Sequence, residues 1–416
     1  MAKEILKLSP YCWPERVSSS HLTDDLNVAF REAGFHTTVY APTPCRGIDA
    51  ETRKKYKSIK RETIAEGSIE IHRFAMFREG RNPIGRAIRY IMVNVIQLRK
   101  GAKAEGIDIV YGASTPPTQG LLLGKVKKKL SKRYGRNVPF VFNLQDVFPD
   151  SLVTAGLTKK DSLIWKIGRK IENKTYKNAD KIIVISNDIK RNIMEKGVPE
   201  DKIVVIPNWI DTDAVKPVSR EQNSLFDELG LDRKGFYVTY AGNLGLAQGV
   251  DTILDAADRL QDHPEIQFVI FGGGNKQEEY KQRIAAMPNV QFFPLQPAER
   301  VPEVYSLGDL SVVACRKGAG SGAIPSKTVS IMATATPVLL SFDEGSELWR
   351  LVGENDCGYL APAENADALA RQILAAQQDA EACRRKGENA RRLAETRFSK
   401  EIGTAAYVKV LCEACR

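Results

Sequence analysis

Short segments rich in β-branched and aromatic residues alternate along the chain with longer amphipathic segments of helical length. In the first half, the strand-like segments are Ile5–Leu8, Thr37–Tyr40, Ser68–Ile71, Asp108–Tyr111, Pro139–Phe142, Lys181–Ile185 and Lys202–Ile206. In the second half, they are Tyr237–Tyr240, Gln267–Phe271, Val290–Phe293, Leu310–Ala314 and Pro337–Leu340. Strands separated by helices usually pair in parallel, because each connection crosses the face of the sheet. The chain is therefore predicted to be an α/β protein.

The alternation restarts after residue 211. The stretch Thr212–Lys234 is polar, contains Pro217 and is typical of a linker that ends in a short helix. A single hydrophobic core rarely serves a chain of 416 residues. We therefore predict two Rossmann-like, doubly wound domains, residues 1–212 and 213–395, that face each other across a ligand-binding cleft. No strand follows the last helical pattern, residues 396–416, which we expect to cross back onto the first domain.

Charge is divided unevenly between the two predicted domains. The whole chain has a formal net charge of +10, whereas residues 1–212 hold 38 Lys/Arg and 23 Asp/Glu, which gives +15. The remaining residues give −5. A basic domain suits an anionic partner such as a phospholipid surface, a pyrophosphate-linked acceptor or nucleic acid, and a solvated basic surface without a partner is the alternative.

One segment of the basic domain combines charge with an apolar stripe. In Asn82–Lys100, apolar residues recur at positions 84, 88, 91, 95 and 98, and basic residues flank them. We expect a helix that covers the sheet, which is the commoner use of such a stripe, while the charges suit a helix on an anionic membrane. No segment approaches the roughly 20 apolar residues of a membrane span.

Several features predict a cytoplasmic protein, with the inner face of the cell membrane as a further possible location. The first ten residues contain too short an apolar segment for a signal peptide, and the seven cysteines are scattered. The four histidines, at positions 21, 36, 72 and 263, lack the spacing of metal ligands. Neither a metal nor a cofactor is therefore expected.

The loop between Gly318 and Pro325 is the clearest candidate for a ligand site. It is rich in small residues, follows a predicted strand and leads into a helix that begins near Pro325. It does not match the Walker A motif, because Ser321 and Ser326 stand where that motif requires glycine. The free N–H groups of a helix start, together with the Lys327 ammonium, nevertheless predict an anion site.

Other loops also follow predicted strands. Tyr240–Gly249 and Phe271–Gly274 contain glycines, which allow a backbone to approach a ligand closely. Asp146 follows a buried strand of the first domain, where it is expected to act as a base or to bind sugar hydroxyls, with a role in a turn as the alternative. Ser18–Ser20 open a helix at about His21, where they cap the helix or hold a phosphate.

A set of short motifs occurs in order along nearly the whole chain. The motifs are Tyr11-x-x-Pro14-Glu15, Ser114–Pro117, Leu144–Pro149, Asn208–Asp211, Ala241–Gly249, Pro325–Lys327, Ala333-x-x-x-Pro337-Val338 and Cys357-Gly358 with Leu360-x-Pro362. Each is weakly specific alone, but the ordered set resembles bacterial family 4 glycosyltransferases of the GT-B fold, in the branch that builds colanic acid, O-antigen and capsule. The resemblance implies retaining transfer of a hexosyl or N-acetylhexosaminyl unit. The implied donor is a nucleotide diphosphate sugar, with a UDP-sugar favoured, and the implied acceptor is lipid-linked or a glycan.

The resemblance also implies roles for individual residues. Lys327 corresponds to the family's lysine for the donor diphosphate, and Asp146 corresponds to a polar position that faces the transferred sugar, so these two are the implied catalytic residues. The other implied donor-binding residues, all in the second domain, are Gly242, Asn243, Gly245, Gln248, Gly272, Gly322, Ala323, Ile324, Ser326 and Ser330. The implied acceptor-binding residues, all in the first domain, are Tyr11, Glu15, Ser19, Ser20 and His21.

The sequence departs from the family pattern at the donor loops. Gly322 and Ser330 stand where many members carry two glutamates, the second of which usually contacts the ribose. Ala247 and Gln248 stand where a basic residue is common. Lys327 is therefore expected to bear more of the phosphate charge than its counterparts do.

Other functions remain open from the sequence. A nucleotide-sugar 2-epimerase has the same two-domain architecture and would consume the donor with no acceptor present. A basic nucleic-acid-binding protein would account for the charge of the first domain, but no RNA-binding aromatic motif or helix-turn-helix stands out, and no nucleic-acid partner is expected. A phosphorylase that carries pyridoxal phosphate is a further candidate for this fold.

Overall fold

The chain divides into two compact units. The computed structural model describes residues 2–15, 20–80, 82–154, 156–320, 322 and 324–416. The first unit comprises Met1–Ile206 and Thr404–Arg416, and the second comprises Pro207–Gly403. The division follows Ile206 rather than residue 212, because the segment after it pairs within the second unit. There the Ile210 N–H donates to the Phe398 carbonyl (2.9 Å), and the Lys400 N–H donates to the Ile210 carbonyl (3.0 Å).

The first unit is an α/β sandwich around an eight-stranded sheet. Its strands are β1 Lys3–Leu8, β2 Phe35–Pro42, β3 Arg61–Ile64, β4 Ile69–Phe74, β5 Ile109–Ala113, β6 Phe140–Leu144, β7 Lys181–Val184 and β8 Ile203–Val205. Its helices are α1 Ser20–Glu32, α2 Ala50–Ser58, α3 Pro83–Gly101, α4 Gln119–Tyr134, α5 Asp150–Thr154, α6 Leu163–Asn178, α7 Asn187–Glu195 and, from Thr404 onward, the end of α16 Lys400–Ala414.

Strand order in this sheet is β3-β4-β2-β1-β5-β6-β7-β8. All pairs are parallel except β3 with β4, which is an antiparallel edge pair. Successive crossovers run from β1 toward β2 and then from β5 toward β8, so the direction of winding reverses at β1. Ligands of open parallel sheets bind beyond the carboxyl ends of the strands at such a reversal.

The second unit has a six-stranded, fully parallel sheet. Its strands are β9 Phe236–Asn243, β10 Ile266–Gly273, β11 Val290–Pro294, β12 Leu310–Ala314, β13 Val338–Phe342 and β14 Gly358–Pro362, in the order β11-β10-β9-β12-β13-β14. Its helices are α8 Leu225–Glu228, α9 Val250–Arg259, α10 Gln277–Ile284, α11 Val301–Ser306, α12 Ser326–Ala333, α13 Glu347–Glu354, α14 Ala366–Gln378 and α15 Ala380–Arg397. Here the winding reverses between β9 and β12, so their carboxyl ends flank the expected ligand crevice.

The core of the second unit shows why β9 is almost continuously apolar. Val238 and Tyr240 belong to the apolar core on one face of the sheet, whereas Tyr237 and Ala241 belong to the core on the other face. Successive side chains of a strand point to opposite faces, so a strand covered by helices on both sides must be apolar at every position. The predicted doubly wound arrangement is confirmed.

All twelve strands predicted from the sequence are present, with shifted ends. Two strands were missed, β3 and β14. β3 is a short edge strand whose side chains are exposed or half-buried, so its sequence lacks an apolar signal. β14 begins with glycine and ends with proline, two residues that are depleted in strands.

One prediction about the first unit was only partly confirmed. α3 does pack on β1 and β2, but of its predicted apolar stripe only Leu98 packs on the core, whereas Ile84, Ile88, Ile91 and Val95 are exposed. The buried face of α3 carries Arg89 and Gln97 together with the apolar Val93. None of the described helices is both long enough and apolar enough to span a membrane.

Candidate functional site

Two loops meet at the reversal point of the second sheet. The loop after β9 and the loop after β12 are joined by a hydrogen bond from the Arg316 N–H to the Ala247 carbonyl (3.0 Å). Gly249 has a φ of +59°, and a Cβ on it would lie 2.8 Å from the Cys315 carbonyl oxygen. Glycine is therefore required at 249, both for the backbone conformation and for the close approach of the two loops.

Lys327 reaches into the space beside these loops. It is the second residue of α12, and its Nζ lies 4.0 Å from the centroid of the Tyr240 ring. Gly242, near the end of β9, has a φ of +148°, and a Cβ there would lie only 2.7 Å from that Nζ. The ammonium group therefore occupies space that any other residue at 242 would fill. Two residues that the sequence assigned to the donor site are thus in contact.

The Lys327 ammonium is buried without a counter-ion in the described part of the chain. Its Nζ has no hydrogen-bond partner among the described residues. Burial lowers the pKa of Lys327 from 10.5 to about 8. The Tyr240 ring face attracts the cation, but it cannot accept the hydrogen bonds that an ammonium group donates. A buried, unpaired cation is costly, and an anionic ligand would relieve that cost.

The start of α12 adds unsatisfied donors. Pro325 is the N-cap residue, with ψ of 134°, and no described side chain caps this end. The sequence had placed Pro325 inside the first turn; its extended ψ puts it one residue earlier. The hydroxyl of Thr328 is buried and likewise has no partner among the described residues. The helix start therefore offers N–H groups and the positive end of its dipole to an anion.

The other residues that the sequence assigned to this loop differ in their exposure and in their contacts. Ser326 is exposed, Ser330 is half-buried, and Ile324 packs against the apolar core rather than projecting freely. Gly322 has a φ of +121°, which disfavours a side chain there. Ala323 lies outside the described residues.

A residue that sequence reasoning missed holds the small-residue loop in place. Asp343, directly after β13, accepts hydrogen bonds from the N–H groups of Gly318 (2.9 Å) and Gly320 (2.8 Å). Those two amides are therefore used within the loop and are not available to a phosphate. An acidic residue at the carboxyl end of a central strand was the signal available in the sequence.

The loop after β9 gathers three predicted donor residues. A Cβ on Gly245 would lie 2.8 Å from Oε1 of Gln248 and 3.0 Å from Nδ2 of Asn243, so the two amide side chains close over this glycine. Gly272 has a packing role instead, because a Cβ there would lie 2.6 Å from the side chain of Leu244. This position therefore requires glycine for contact with a neighbouring side chain rather than with a ligand.

The first unit contains a cavity of about 770 Å³ beside the carboxyl end of β1. Its lining is Lys7, Ser9, Pro10, Tyr11, Cys12, Trp13, Glu15, Ser20, Thr23, Asp24, Asn27, Val39, Arg46, Gly47, Ile64, Ile69 and Thr115. Tyr11 is held in place by hydrogen bonds between its hydroxyl and Glu79 (2.6 Å) and Tyr90 (2.8 Å). Arg46 lies over its ring at 5.2 Å. This network orients Tyr11 at the cavity wall.

The predicted acceptor residues contribute unequally to this cavity. Glu15 is buried, and its carboxylate accepts the N–H groups of Cys12 (3.0 Å), Cys45 (2.7 Å) and Arg46 (2.8 Å), so it chiefly ties two loops together. Ser20 begins α1 and lines the cavity. His21 is exposed and is not part of the lining. Ser19 lies outside the described residues.

Lys7 is a second cation, half-buried in the first unit, that the sequence analysis did not select. Its Nζ donates to Oδ1 of Asn27 (2.8 Å) and lies 5.2 Å and 5.4 Å from the ring centroids of Phe30 and Tyr111. Burial lowers the pKa of Lys7 to about 8. The signal available in the sequence was a lysine between Leu6 and Leu8, two buried residues near the end of a central strand.

Asp146 stands two residues after β6 and is exposed. Its N–H and that of Gln145 both donate to the hydroxyl of Ser114, at 3.3 Å and 3.1 Å, which fixes the turn while leaving the carboxylate at the surface. Asp150, by contrast, accepts from Nζ of Lys196 (2.6 Å). Asp146 belongs to the first unit and Lys327 to the second.

Metal ligation is not supported by any cluster in the described part of the chain. No group of three His, Cys, Asp or Glu side chains there is arranged to hold an ion.

Two protein-family models match successive parts of the chain. Residues 20–214 match the model described as Glycosyltransferase Family 4. Residues 221–393 match the model described as Glycosyl transferases group 1. The two matches together cover most of the sequence and meet close to the division between the two units.

Two bacterial relatives are similar over part of their length. WcaI of Escherichia coli K12, named as a putative colanic acid biosynthesis glycosyl transferase, is 29% identical over 215 residues, which are 51% of this chain and 53% of WcaI. WbjE of Pseudomonas aeruginosa, named as a probable glycosyltransferase, is 29% identical over 243 residues, which are 58% of this chain and 60% of WbjE. The matched region thus spans little more than half the length of these relatives.

Solved structures resemble the whole fold. A sucrose-phosphate synthase from Thermosynechococcus elongatus superposes with a TM-score of 0.74 at 18% identity, covering 99% of this chain and 98% of that one. Anabaena HepE in complex with UDP superposes with a TM-score of 0.71 at 17% identity, covering 99% and 100% of the two chains. At these identities the similarity establishes a shared fold.

Proposed function

The chain belongs to the family 4 glycosyltransferases and has the GT-B fold, and we propose that it transfers a sugar from a nucleotide diphosphate sugar to an acceptor in polysaccharide biosynthesis. The observation that carries this proposal is the buried ammonium of Lys327, which is unpaired among the described residues. It lies against Gly242 at the start of α12, where an anion would complete its hydrogen bonds. The epimerase, nucleic-acid-binding and phosphorylase alternatives are not favoured, because both matching models are glycosyltransferase models.

The donor diphosphate is proposed to lie against Lys327 and the free N–H groups of α12. Cleavage of the bond between the sugar and the diphosphate leaves negative charge on the departing phosphate oxygen. A cation and a helix start that are already in place stabilise that charge without reorganising. The burial that lowers the pKa of Lys327 also strengthens its interaction with a bound anion, since less water screens it.

The finer assignments of donor and chemistry are proposals as well. A UDP-sugar with a hexosyl or N-acetylhexosaminyl group is favoured, and the complex of HepE with UDP supports that nucleotide. Transfer is proposed to retain the anomeric configuration, with Asp146 in contact with the transferred sugar.

The acceptor is proposed to enter the cavity of the first unit. The cationic side chains of Lys7 and Arg46 suit an acceptor that carries phosphate, such as a lipid-linked sugar diphosphate, and Tyr11 lines the same cavity. The alternative acceptor in this proposal is a glycan. Colanic acid, which the name of WcaI mentions, is a polysaccharide and is consistent with either acceptor.

A thermal-shift screen with UDP-, GDP-, ADP- and dTDP-sugars tests the donor site. A ligand at 100 times its Kd stabilises the folded state by about 2.7 kcal/mol. We expect one nucleotide class to raise the melting temperature of the wild type and of Lys317→Met, but not of Lys327→Met. Lys317 is a matched control, because it lies in the same loop and is exposed. Equal shifts in all three proteins would contradict the donor assignment.

Turnover of the donor that is identified tests the reaction. Release of the nucleoside diphosphate should depend on added acceptor, and the anomeric configuration of the product by NMR should match that of the donor. Inversion would reject the retaining assignment while leaving the transferase proposal intact.

A further inference from the structure

Tyr240 is a buried tyrosine whose two ends contact two parts of the candidate donor site. It lies on β9, three residues before the end of that strand, and only 1% of its surface is exposed. Its ring packs in the apolar core on one face of the second sheet, and the centroid of the ring lies 4.0 Å from Nζ of Lys327. Its hydroxyl donates to the carbonyl of Asn243 at 2.8 Å. One side chain therefore joins α12 to the loop after β9.

The ring acts on the position of the Lys327 ammonium. A lysine charge sits at the end of a flexible four-carbon stem, and no described group accepts a hydrogen bond from this Nζ. The face of an aromatic ring attracts a cation, and the attraction is stronger where water is excluded. The ring of Tyr240 therefore fixes where the charge lies before a donor arrives. It also opposes the effect of burial, which lowers the pKa of Lys327 to about 8.

The hydroxyl acts on the loop after β9. Its acceptor, Asn243, is exposed at the end of the strand. A Cβ on Gly245 would lie 3.0 Å from Nδ2 of Asn243, and a Cβ on Gly274 would lie 2.6 Å from its Oδ1. Asn243 thus lies between the loops that follow β9 and β10. A bond to its carbonyl holds the backbone from which this side chain projects.

Packing in the core does not by itself require a tyrosine at position 240. Phenylalanine has the same ring and would fill this core without a hydroxyl that needs a partner. Tyr237, near the amino end of the same strand, makes the same two kinds of contact on the other face of the sheet. The guanidinium of Arg220 lies 5.8 Å from its ring centroid, and its hydroxyl donates to the Asp232 carbonyl at 2.8 Å. Tyr237 is therefore a matched reference at the end of β9 opposite to the donor loops.

We propose that Tyr240 is a positioning residue for sugar transfer. Its ring holds the Lys327 ammonium where the donor diphosphate binds, and its hydroxyl holds the loop after β9 beside the same ligand. This role rests on the proposed function, in which Lys327 contacts the diphosphate. Tyr240 is itself buried, so it acts through Lys327 and Asn243 rather than by touching the donor. A cation that is already in place stabilises developing charge without reorganising.

Two exchanges separate the hydroxyl from the ring. Tyr240→Phe removes the hydroxyl and keeps the ring, so KM for the donor should rise about fivefold, as expected for the loss of one hydrogen bond. Tyr240→Leu removes the ring as well, so kcat/KM should fall about tenfold further. Tyr237→Phe and Tyr237→Leu are the matched controls. They should leave kcat and KM as in the wild type when assayed well below their melting temperatures.

The pH profile of kcat/KM distinguishes a lost contact with the charge from a loss of packing. This profile reports groups of the free enzyme, so wild-type kcat/KM should decline above about pH 8 as Lys327 loses its proton. Without the ring the ammonium is less stabilised and loses its proton more readily. The inflection should therefore move down by about one pH unit in Tyr240→Leu and stay in place in Tyr240→Phe. The titratable groups that act on Tyr240 are the phenols of Tyr280 and Tyr305, and burial raises the pKa of both above this range.

A fluorinated ring tests the same contact with almost no change of shape. Trifluorophenylalanine at position 240 has nearly the size of phenylalanine, but its fluorines withdraw electron density from the face that attracts the cation. Its inflection should lie at lower pH than that of Tyr240→Phe, with a similar melting temperature. This variant tests the ring even where Tyr240→Leu does not fold.

A combined variant shows whether the ring acts through the lysine. In a chain that already carries Lys327→Met, Tyr240→Leu should lose no more activity than Tyr240→Phe does. A further tenfold loss there would mean that the ring acts by another route and would overturn the proposal. An inflection that stays in place in both Tyr240→Leu and the fluorinated variant would overturn it as well.

The controls separate this role from packing and from the proposed function. Equal losses in the Tyr237 variants would assign the effects to packing of β9. Impaired turnover of Lys327→Met beside normal turnover of the Tyr240 variants would overturn the role of Tyr240 alone. Normal turnover of Lys327→Met would overturn the proposed function of Lys327 and the role of Tyr240 together.

Discussion

Replacing Lys327 by methionine should make the protein more stable and less active at the same time. Methionine keeps most of the length and volume of the lysine side chain but removes its charge. The Nζ is buried and lacks a partner among the described residues, so its charge costs free energy in the unliganded protein. Removing that charge removes the cost, together with the contact proposed for the donor diphosphate.

The size of the stability change follows from the pKa. Burial lowers the pKa of Lys327 from 10.5 to about 8. At about 1.4 kcal/mol per pKa unit, charging this group costs about 3 kcal/mol more in the folded chain than in the unfolded chain. The face of the Tyr240 ring, 4.0 Å away, offsets part of this cost. We therefore expect Lys327→Met to stabilise the second unit by about 1 to 3 kcal/mol at pH 7, a rise of about 2 to 10 °C in melting temperature.

The sign of the pH dependence provides a check. A lysine whose pKa is lower when folded destabilises the fold wherever it is charged, so the full cost is present below about pH 8. The cost fades as the pH rises from about 8 toward 10.5, where the unfolded lysine also loses its proton. The difference in melting temperature between Lys327→Met and the wild type should therefore shrink across that range.

Calorimetry from pH 7 to pH 10, paired with kcat/KM for the donor, completes the experiment. We expect kcat/KM to fall by about 30-fold to 1000-fold, as for other preorganised groups that stabilise developing charge. Lys317→Met, at the exposed position of the same loop, should change neither quantity. A variant that is less stable than the wild type at pH 7 would refute the account of Lys327 as a costly buried charge. Normal turnover would refute its role at the donor.

Three further exchanges test neighbouring parts of the two candidate sites. Gly242→Ala should displace the Lys327 ammonium and reduce donor affinity at least tenfold, because its Cβ would lie 2.7 Å from Nζ. As a control, Gly345→Ala replaces a glycine that also has a positive φ, +75°, but has open space around it, so the variant should lose only about 1 kcal/mol of stability and keep its affinity. Asp343→Ala should free the N–H groups of Gly318 and Gly320 and lower stability by about 1 to 3 kcal/mol, with KM for the donor raised; an unchanged KM would mean that the loop keeps its shape without this carboxylate. Asp146→Asn should reduce kcat more than tenfold with the melting temperature within about 1 °C of the wild type, since the carboxylate is exposed. A large drop in melting temperature would instead assign Asp146 to the turn.

Most of the fold follows from local patterns, and the exceptions have physical reasons. The sequences of buried parallel strands are nearly continuous runs of apolar residues, so strands such as β9 and β12 could be identified from the sequence. β3 was missed because it is short, antiparallel and at an edge, where nothing requires apolar side chains. The division between the units was placed too late, because the pairing of Ile210 with the segment around Phe398 is a contact between distant parts of the chain.

The orientation of α3 shows what the periodicity of apolar residues in a sequence cannot predict. The sequence identified the apolar stripe correctly but not the direction in which it points. That direction depends on carbonyls of Ser9, Tyr40 and Phe77, which Gln97 and Arg89 satisfy. Unpaired buried carbonyls are costly, so a helix that must satisfy them turns its polar side inward. No property of the α3 sequence alone contains that information.

Part of the candidate donor site could also be predicted from the sequence, and part of it could not. Lys327 and Gly242 could be selected from the sequence, because a lysine at a helix start and a glycine at a strand end each have a local signature. Their mutual contact and the support from Asp343 could not be predicted, because they join residues more than 20 positions apart. The low pKa of Lys327 was also beyond the sequence, since it arises from the side chains that surround Nζ.

Lys327 is an exception to the rules that stabilise a fold, and the proposed donor would remove that exception. A buried ammonium without a counter-ion among the described residues costs free energy in the isolated chain. A nucleotide sugar should therefore raise the stability of the wild type more than that of Lys327→Met, because only the wild type gains the missing contact. If both proteins gained the same stability, the ammonium would not contact the donor, and the cost of its burial would serve some other purpose.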